Sequence, residues 1–306
     1  MNYNKQHRLI DESETPRTFW SLSKANFRLH WDINTVCDKN CFYCYARKQL
    51  IWYKYSTKST LDNIIQQLAD MKKNVEVVLL GGEPSAHPLY FYILDELYKL
   101  DNLTGAAVLT GGGPKVTSEW IIKHNQYDRF WFNFSFHPSE QTEIEKWKQK
   151  VLHANDINNG HCLVNILLAG PKWNDKINDM IEFCDNNNIM KLPNVIFSPK
   201  DCKDYMIKNT AYKEWISGYA DRFERELVFT SGEIEHKYND IDVYLNDLNR
   251  FKGWKCLNNN YAIEGANNTN ITRMCDNSQK GCGEYMTCTL DKCMCQGLLT
   301  NEKYST

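Results

Sequence analysis

Twelve cysteines stand among 306 residues, and their spacing is where chemistry is first legible. Three fall at Cys37, Cys41 and Cys44. Six crowd the C-terminal end at Cys256, Cys275, Cys282, Cys288, Cys293 and Cys295, while Cys162, Cys184 and Cys202 stand apart. The first group offers three thiolates and no further Cys or His until His87. A structural zinc ion takes four protein ligands. Three thiolates on a [4Fe–4S] cube hold three irons and leave the fourth open to a ligand that is not protein, which suits a catalytic cluster; zinc is the competing reading. A second signal is Gly81-Gly82-Glu83-Pro84, directly after the apolar run Val75 to Leu80. Glycines let backbone approach a partner closely, Glu83 adds charge or fixes the loop, and Pro84 stops the strand. Alone, such a run is only a turn.

The order Cys37-Asp38-Lys39-Asn40-Cys41-Phe42-Tyr43-Cys44, with an aromatic before the third cysteine, resembles the signature of radical S-adenosylmethionine (radical SAM) enzymes. The glycine run resembles that family's GGEP motif. The resemblance implies a [4Fe–4S] cluster on the three cysteines, chelated at its open iron by the amino and carboxylate groups of SAM. It places Tyr43 near the adenine and Gly81, Gly82, Glu83 and Pro84 around the SAM amino group. It further implies an electron donor of flavodoxin or ferredoxin type.

Such a site has to be carried by strands that end together. From about 25 to 200, strand-like and helix-like segments alternate, as a parallel α/β sheet requires. Strands are predicted at Phe27 to Ile33, Val75 to Leu80, Gly105 to Thr110, Phe130 to His137, Cys162 to Ala169 and Asn194 to Ser198. Between them run helical patterns, the first being Leu61, Ile64, Ile65, Leu68 and Met71 after a cap at Ser59 or Thr60, with others at Leu89 to Leu100, Glu119 to His124, Ile144 to Val151 and Trp173 to Cys184. Periodicity alone leaves an open doubly wound sheet as an alternative. The resemblance implies the family's partial (β/α)6 barrel, with SAM at the C-terminal ends of the strands. In the fourth strand Phe130, Phe132, Phe134 and Phe136 alternate with Trp131, Asn133, Ser135 and His137. The aromatic face is expected against helices, so the polar residues point inward and need partners. By resemblance Ser135, then Asn133, then His137 are candidates to contact SAM, and Thr110 occupies a family position whose following residue departs at Gly111. Asn165 is a further inward candidate.

The late cysteines surround a predicted hairpin, Tyr261 to Gly265 and Ile271 to Cys275, with Cys256 before it. This layout resembles the twitch or shortened SPASM extension of the family, which holds an auxiliary [4Fe–4S] cluster. Cys256, Cys275 and Cys293 are the first ligand candidates, Cys288 and Cys295 compete for the last place, and Cys282 is a ligand or an exposed thiol. An all-thiolate zinc site is the alternative there. Cys162 and Cys184 read as core. Cys202, on a loop beyond the sixth strand, is a candidate hydrogen-atom donor. The organisation expected is residues 1–24 as an N-terminal extension, 25–200 as the barrel, 201–252 as a bridge and 253–306 as a small auxiliary-cluster domain.

Lys and Arg number 36 against 38 Asp and Glu, a net charge of −2 that recommends neither a nucleic acid nor an anionic membrane as partner. No apolar run of about 18 residues and no signal segment are present, so a cytosolic location is expected. There thiols stay reduced, and cysteines serve metal, cluster or catalytic roles rather than disulfides. The expected function is reductive cleavage of SAM and hydrogen abstraction from a ribosomally made peptide. The alternatives are oxidation of a small polar metabolite and a zinc-binding module without catalysis.

Overall fold

Eight residues from Phe27 to Asn34 form a strand with every side chain buried, as happens when helices cover one face and a barrel lumen the other. In the computed structural model, which describes residues 7–10, 27–44, 54–158, 160–196, 209–223, 226–231, 234–246, 248, 250–257, 260–273, 285–289 and 303–304, this strand (β2) follows β1 (His7–Ile10). Five more parallel strands come after it: β3 (Val75–Gly81), β4 (Leu103–Thr110), β5 (Phe130–Phe136), β6 (Cys162–Leu167) and β7 (Met190–Asn194). Each pairs with the one before it, and the helices α1 (Lys58–Ala69), α2 (Tyr90–Leu97), α3 (Ser118–Ile122), α4 (Ile144–Ile157) and α5 (Asn174–Asn186) fill the crossovers. The six strands form a partial (β/α) barrel whose sheet is not closed.

Odd and even positions of β2 divide between two environments. Phe27, Leu29, Trp31 and Ile33 join the outer core with Leu61, Ile64 and Leu68 of α1. On β5 the four phenylalanines pack in the same core with Trp120 and Trp147. Trp131, on the opposite face, lies in a separate cluster with Val78, Leu80 and Ala107, the apolar part of the lumen.

The structure moves some predicted boundaries. The sixth barrel strand is Met190–Asn194; of the predicted Asn194 to Ser198, residues 195–196 lie outside any strand and 197–198 lie outside the described residues. Its Pro193 lacks a donor and is tolerated because β7 pairs only with β6 among the described strands. The cap of α1 is Thr57, whose side chain accepts from Thr60 N, rather than Ser59 or Thr60. The helix predicted to His124 stops at Ile122 and tightens into a 3₁₀ turn.

The C-terminal part reaches back to the barrel. After α6 (Thr210–Ser217) come β8 (Glu226–Ser231), β9 (Ile234–Asn239), α7 (Asp240–Leu245), β10 (Lys255–Leu257), β11 (Asn260–Ile263), β12 (Thr272–Arg273), β13 (Tyr285–Thr287) and β14 (Lys303–Tyr304). The hairpin β11–β12 adds to the barrel, with β11 parallel to β2. The remaining strands make a second, antiparallel sheet in the order β13-β10-β14-β1-β8-β9, which joins both ends of the chain.

Candidate active site

The loop that leaves β2 carries Cys37, Cys41 and Cys44, none of them in a disulfide, the middle one buried and the others half-buried. Its start is paired to the glycine run: Gly82 N donates to Asn34 O at 2.9 Å and Glu83 N donates to Val36 O. A Cβ on Gly82 would lie 2.1 Å from Val36 O, and one on Gly81, at φ +130°, would lie 2.2 Å from Asn34 O. The close approach that these glycines permit is therefore to the chain's own backbone. They seat the cysteine loop.

A second glycine run seats its other side. Gly111, Gly112 and Gly113 follow β4, and Cβ atoms at Gly111 and Gly113 would meet Lys39 Cε at 2.6 Å and Asp38 Oδ2 at 2.7 Å. Trp147 Nε1 and Lys150 Nζ of α4 hold this run by its carbonyls, each at 2.9 Å. Between the runs stands Glu83, wholly buried. Its Oε1 accepts from Ser85 N, Ser85 Oγ and Thr110 Oγ1, and its Oε2 accepts from Gly111 N at 2.8 Å. Burial raises the Glu83 pKa against these donors, which favour the charged form. Thr110 also accepts from Gly112 N, so the hydroxyl is engaged within the protein. Glu83 and Thr110 fasten one glycine run to the other. Pro84 opens the short 3₁₀ turn that follows.

From this seat the loop reaches the far strands. Cys41 and Tyr43 pack against Leu167 at the end of β6, Ala169 just after it and Ile196 after β7, and Phe42 stacks on Trp173 at 5.5 Å. Tyr43 Oη lies 3.2 Å from His137 Nδ1 and accepts from Ser139 Oγ at 3.2 Å; Cys41 Sγ is 3.6 Å from the same imidazole nitrogen. Burial raises the Tyr43 hydroxyl and lowers His137 to about 4, keeping both neutral. Asn40 N donates to Glu140 Oε2 at 3.1 Å. The loop thus lies at the C-terminal ends of the strands, where barrel ligands bind.

The donor set fits an iron–sulfur cluster. Burial pushes the thiols of Cys37 and Cys41 up to about 11 and about 12, a balance that the positive charge of bound iron reverses. Lys39 N–H already points at Cys37 Sγ at 3.4 Å. Among the described residues no three His, Cys, Asp or Glu side chains gather to hold one metal ion. Thiols that bind three different irons do not need to converge on one point.

Below the loop, the polar face of β5 turns inward as its alternation demands. Asn133 is 3 % exposed and its Oδ1 has no hydrogen-bond partner. Ser135 is half-buried and in register with half-buried Asn165 of β6, so the two can present polar groups together. Asp32 and Asn34 were not read from the sequence as site residues. The signal was there: Arg28, His30, Asp32 and Asn34 alternate with the apolar residues of β2 as the polar residues of β5 do with its phenylalanines.

Of the late cysteines, Cys256 and Cys288 are described, both buried. Cys256 is opposite Met286, and Cys288 follows the Lys255–Thr287 pair, its N donating to Trp254 O. Extending that register puts the two cysteines on one face of adjacent strands, as diagonal neighbours. Cys202, Cys275, Cys282, Cys293 and Cys295 lie outside the described residues. Cys162 and Cys184 are in the apolar core. No described helix is long and apolar enough to cross a membrane.

Residues 31–137, from the middle of β2 to the histidine beside Tyr43, match the family profile of the radical SAM superfamily. Among solved structures, anSMEcpe with bound AdoMet and the Cp18Cys peptide aligns at TM-score 0.53 and 12 % identity, covering 83 % of this chain and 75 % of that one. A polyhistidine-tagged anSMEcpe with bound AdoMet aligns at 0.50 and 13 % identity over 64 % of this chain and 59 % of that one. SuiB of Streptococcus suis bound to S-adenosylmethionine aligns at 0.49 and 14 %, over 64 % and 48 %. The chain therefore spans about half to three fifths of the last two, and the likeness to anSMEcpe is one of fold. No curated protein matches the sequence.

Proposed function

We propose that residues 31–137, which match the radical SAM superfamily profile, form a radical SAM domain holding a [4Fe–4S] cluster on Cys37, Cys41 and Cys44, and that the protein modifies a peptide by radical chemistry. When bound, the cluster supplies the electron that cleaves SAM to methionine and a 5′-deoxyadenosyl radical, which takes a hydrogen atom from the substrate. The observation that carries this reading is the seat of the cysteine loop, clasped by two glycine runs at the strand ends and packed across to β6 and β7.

The chain's own residues have separate tasks. Glu83 and Thr110 lock the glycine runs, and Tyr43, His137 and Ser139 fix the loop's far end. Asn133 and Ser135 offer inward polar groups to SAM. Phe42, stacked on Trp173, braces that side of the loop. A peptide substrate is supported by the fold's likeness to anSMEcpe, whose structure contains AdoMet and a peptide. The late cysteines, with Cys256 and Cys288 already on one face, are assigned to an auxiliary [4Fe–4S] cluster together with Cys275, Cys293 or Cys295. A flavodoxin- or ferredoxin-type protein is the proposed electron donor, and Cys202 the proposed hydrogen-atom donor.

The test is replacement of Cys37, Cys41 and Cys44 by Ala, followed by anaerobic reconstitution. About four irons should be lost, and 5′-deoxyadenosine should no longer form. Undiminished SAM cleavage by that variant defeats the reading.

A further inference from the structure

The inward face of β2 bears Arg28, His30, Asp32 and Asn34 in succession. At the lower end the charges balance: Arg28 Nε lies 2.7 Å from Glu76 Oε1, both side chains almost fully buried. Higher up they do not. Asp32 is 4 % exposed; its Oδ2 accepts from Gly265 N at 3.2 Å, its Oδ1 meets no donor, and Glu264 nearby adds negative charge. Among the described residues no Lys or Arg pairs with Asp32; burying a carboxylate in this way is costly, and burial pushes its pKa up to about 7.

Two more unpaired acceptors face the lumen, Asn34 two residues along β2 and Asn133 in the same register row three strands away. Asp32 is in register with Leu80, and Leu109 with Asn133, whose Oδ1 is also buried and unpaired. Asn34, one step nearer the cysteine loop, donates to Glu83 O but has an unpaired Oδ1. Between them lie Val78, Leu80 and Ala107. Two neighbouring acceptors, Asp32 and Asn34, one of them ionisable, beside an apolar floor call for a group with donors only, positive charge and an aliphatic stem. An alkylammonium has three N–H donors and no acceptor, whereas a hydroxyl brings lone pairs of its own and no charge.

We propose that the barrel lumen beneath the cysteine loop binds an alkylammonium group of the substrate, with Asp32 as its counter-ion and Asn34 as a further acceptor. The proposal deepens the radical SAM reading and rests on it only for naming the bound molecule a substrate. The same ammonium can belong to a lysine side chain in a peptide or to a small primary amine.

The experiment uses the full chain, loaded with cluster under anaerobic conditions at pH 8. n-Butylammonium and an acetylated, amidated Gly-Lys-Gly peptide are the probes, with sodium chloride at equal ionic strength as control. Both melting temperature and affinity are read. At least one probe should raise the melting temperature of the wild type, and Asp32→Asn should bind it at least about tenfold more weakly, since a charged hydrogen bond is lost. The variant should itself melt no lower than the wild type, because it no longer buries a lone charge, and should bind SAM as the wild type does. Asp32→Ser is the second variant if Asn does not fold. Tighter binding of the peptide identifies a peptide source, and tighter binding of butylammonium a small amine. No binding of either probe, equal binding by the variants, or loss of SAM affinity at Asp32→Asn overturns the proposal. If Asp32-dependent binding is found but the wild type makes no 5′-deoxyadenosine, the radical SAM reading falls and the amine site stands.

Discussion

Gly82 and Gly113 both touch the cysteine loop, yet their surroundings give opposite expectations for the same mutation. A methyl group at Gly82 meets the Val36 carbonyl, which is backbone and cannot turn away; at Gly113 it meets the tip of the Asp38 side chain, which can. Gly82→Ala should therefore shift the loop and lose most of its iron on reconstitution, while Gly113→Ala keeps it. Iron assays on the two variants check this, and equal iron in both would show that the loop is not seated by Gly82. Ser135→Ala removes one inward hydroxyl. If SAM is its partner, SAM affinity should fall about tenfold, close to 1.4 kcal/mol, in an anaerobic titration. Asp32 gives a pH signature. Its folded pKa of about 7 lies above its ordinary 3.8, so the folded state binds more protons and stability falls as pH rises from about 4 to 7. The loss is on the order of 4 kcal/mol, and chemical denaturation of Asp32→Asn across that window should lack it.

The element that sequence reading resolved best was β5, because phenylalanine at every second position fixes which face meets the helices. Phe134→Ala empties a wholly buried site beside Trp147 and should cost about 3–5 kcal/mol in denaturant unfolding. The cysteine loop and the GGEP turn were legible from residue types and spacing. The role of the second glycine run was not, since its partners Asp38, Lys39, Trp147 and Lys150 are brought to it only by the fold. β7 was displaced in the reading because Pro193 argues against a strand unless that strand is at an edge. Pairing of β11 with β2 was equally hidden, for no local pattern names a strand's distant neighbour. That hairpin is fastened by its turn: Asn267, at φ +66°, accepts from Thr57 N at 2.8 Å and from Thr60 Oγ1 at 3.3 Å. Asn267→Ala loses these bonds and should destabilise by about 1–2 kcal/mol.

For the whole molecule, the decisive quantity is how much iron remains once the first three cysteines are gone. With an auxiliary cluster, the triple Ala variant should still bind about four irons, and adding Cys256→Ala and Cys288→Ala should remove them. Zinc in their place would refute the auxiliary cluster and leave the first site intact. The position of β11 also sets a timetable for biosynthesis. Asp32 and Gly265 are 233 residues apart in sequence, and at about 5–20 residues per second a ribosome needs roughly 12–47 s to synthesise the intervening chain. Through that interval β2 can acquire β3 but not β11, and its edge amides have no strand to bond. The strand that leads into the cysteine loop is thus among the first made and the last enclosed, so iron delivered to a nascent chain would meet an unfinished edge. Contacts of such long range slow folding, and a chain released before residue 263 should remain protease-sensitive at β2 in a pulse-chase experiment, whereas the full chain becomes resistant.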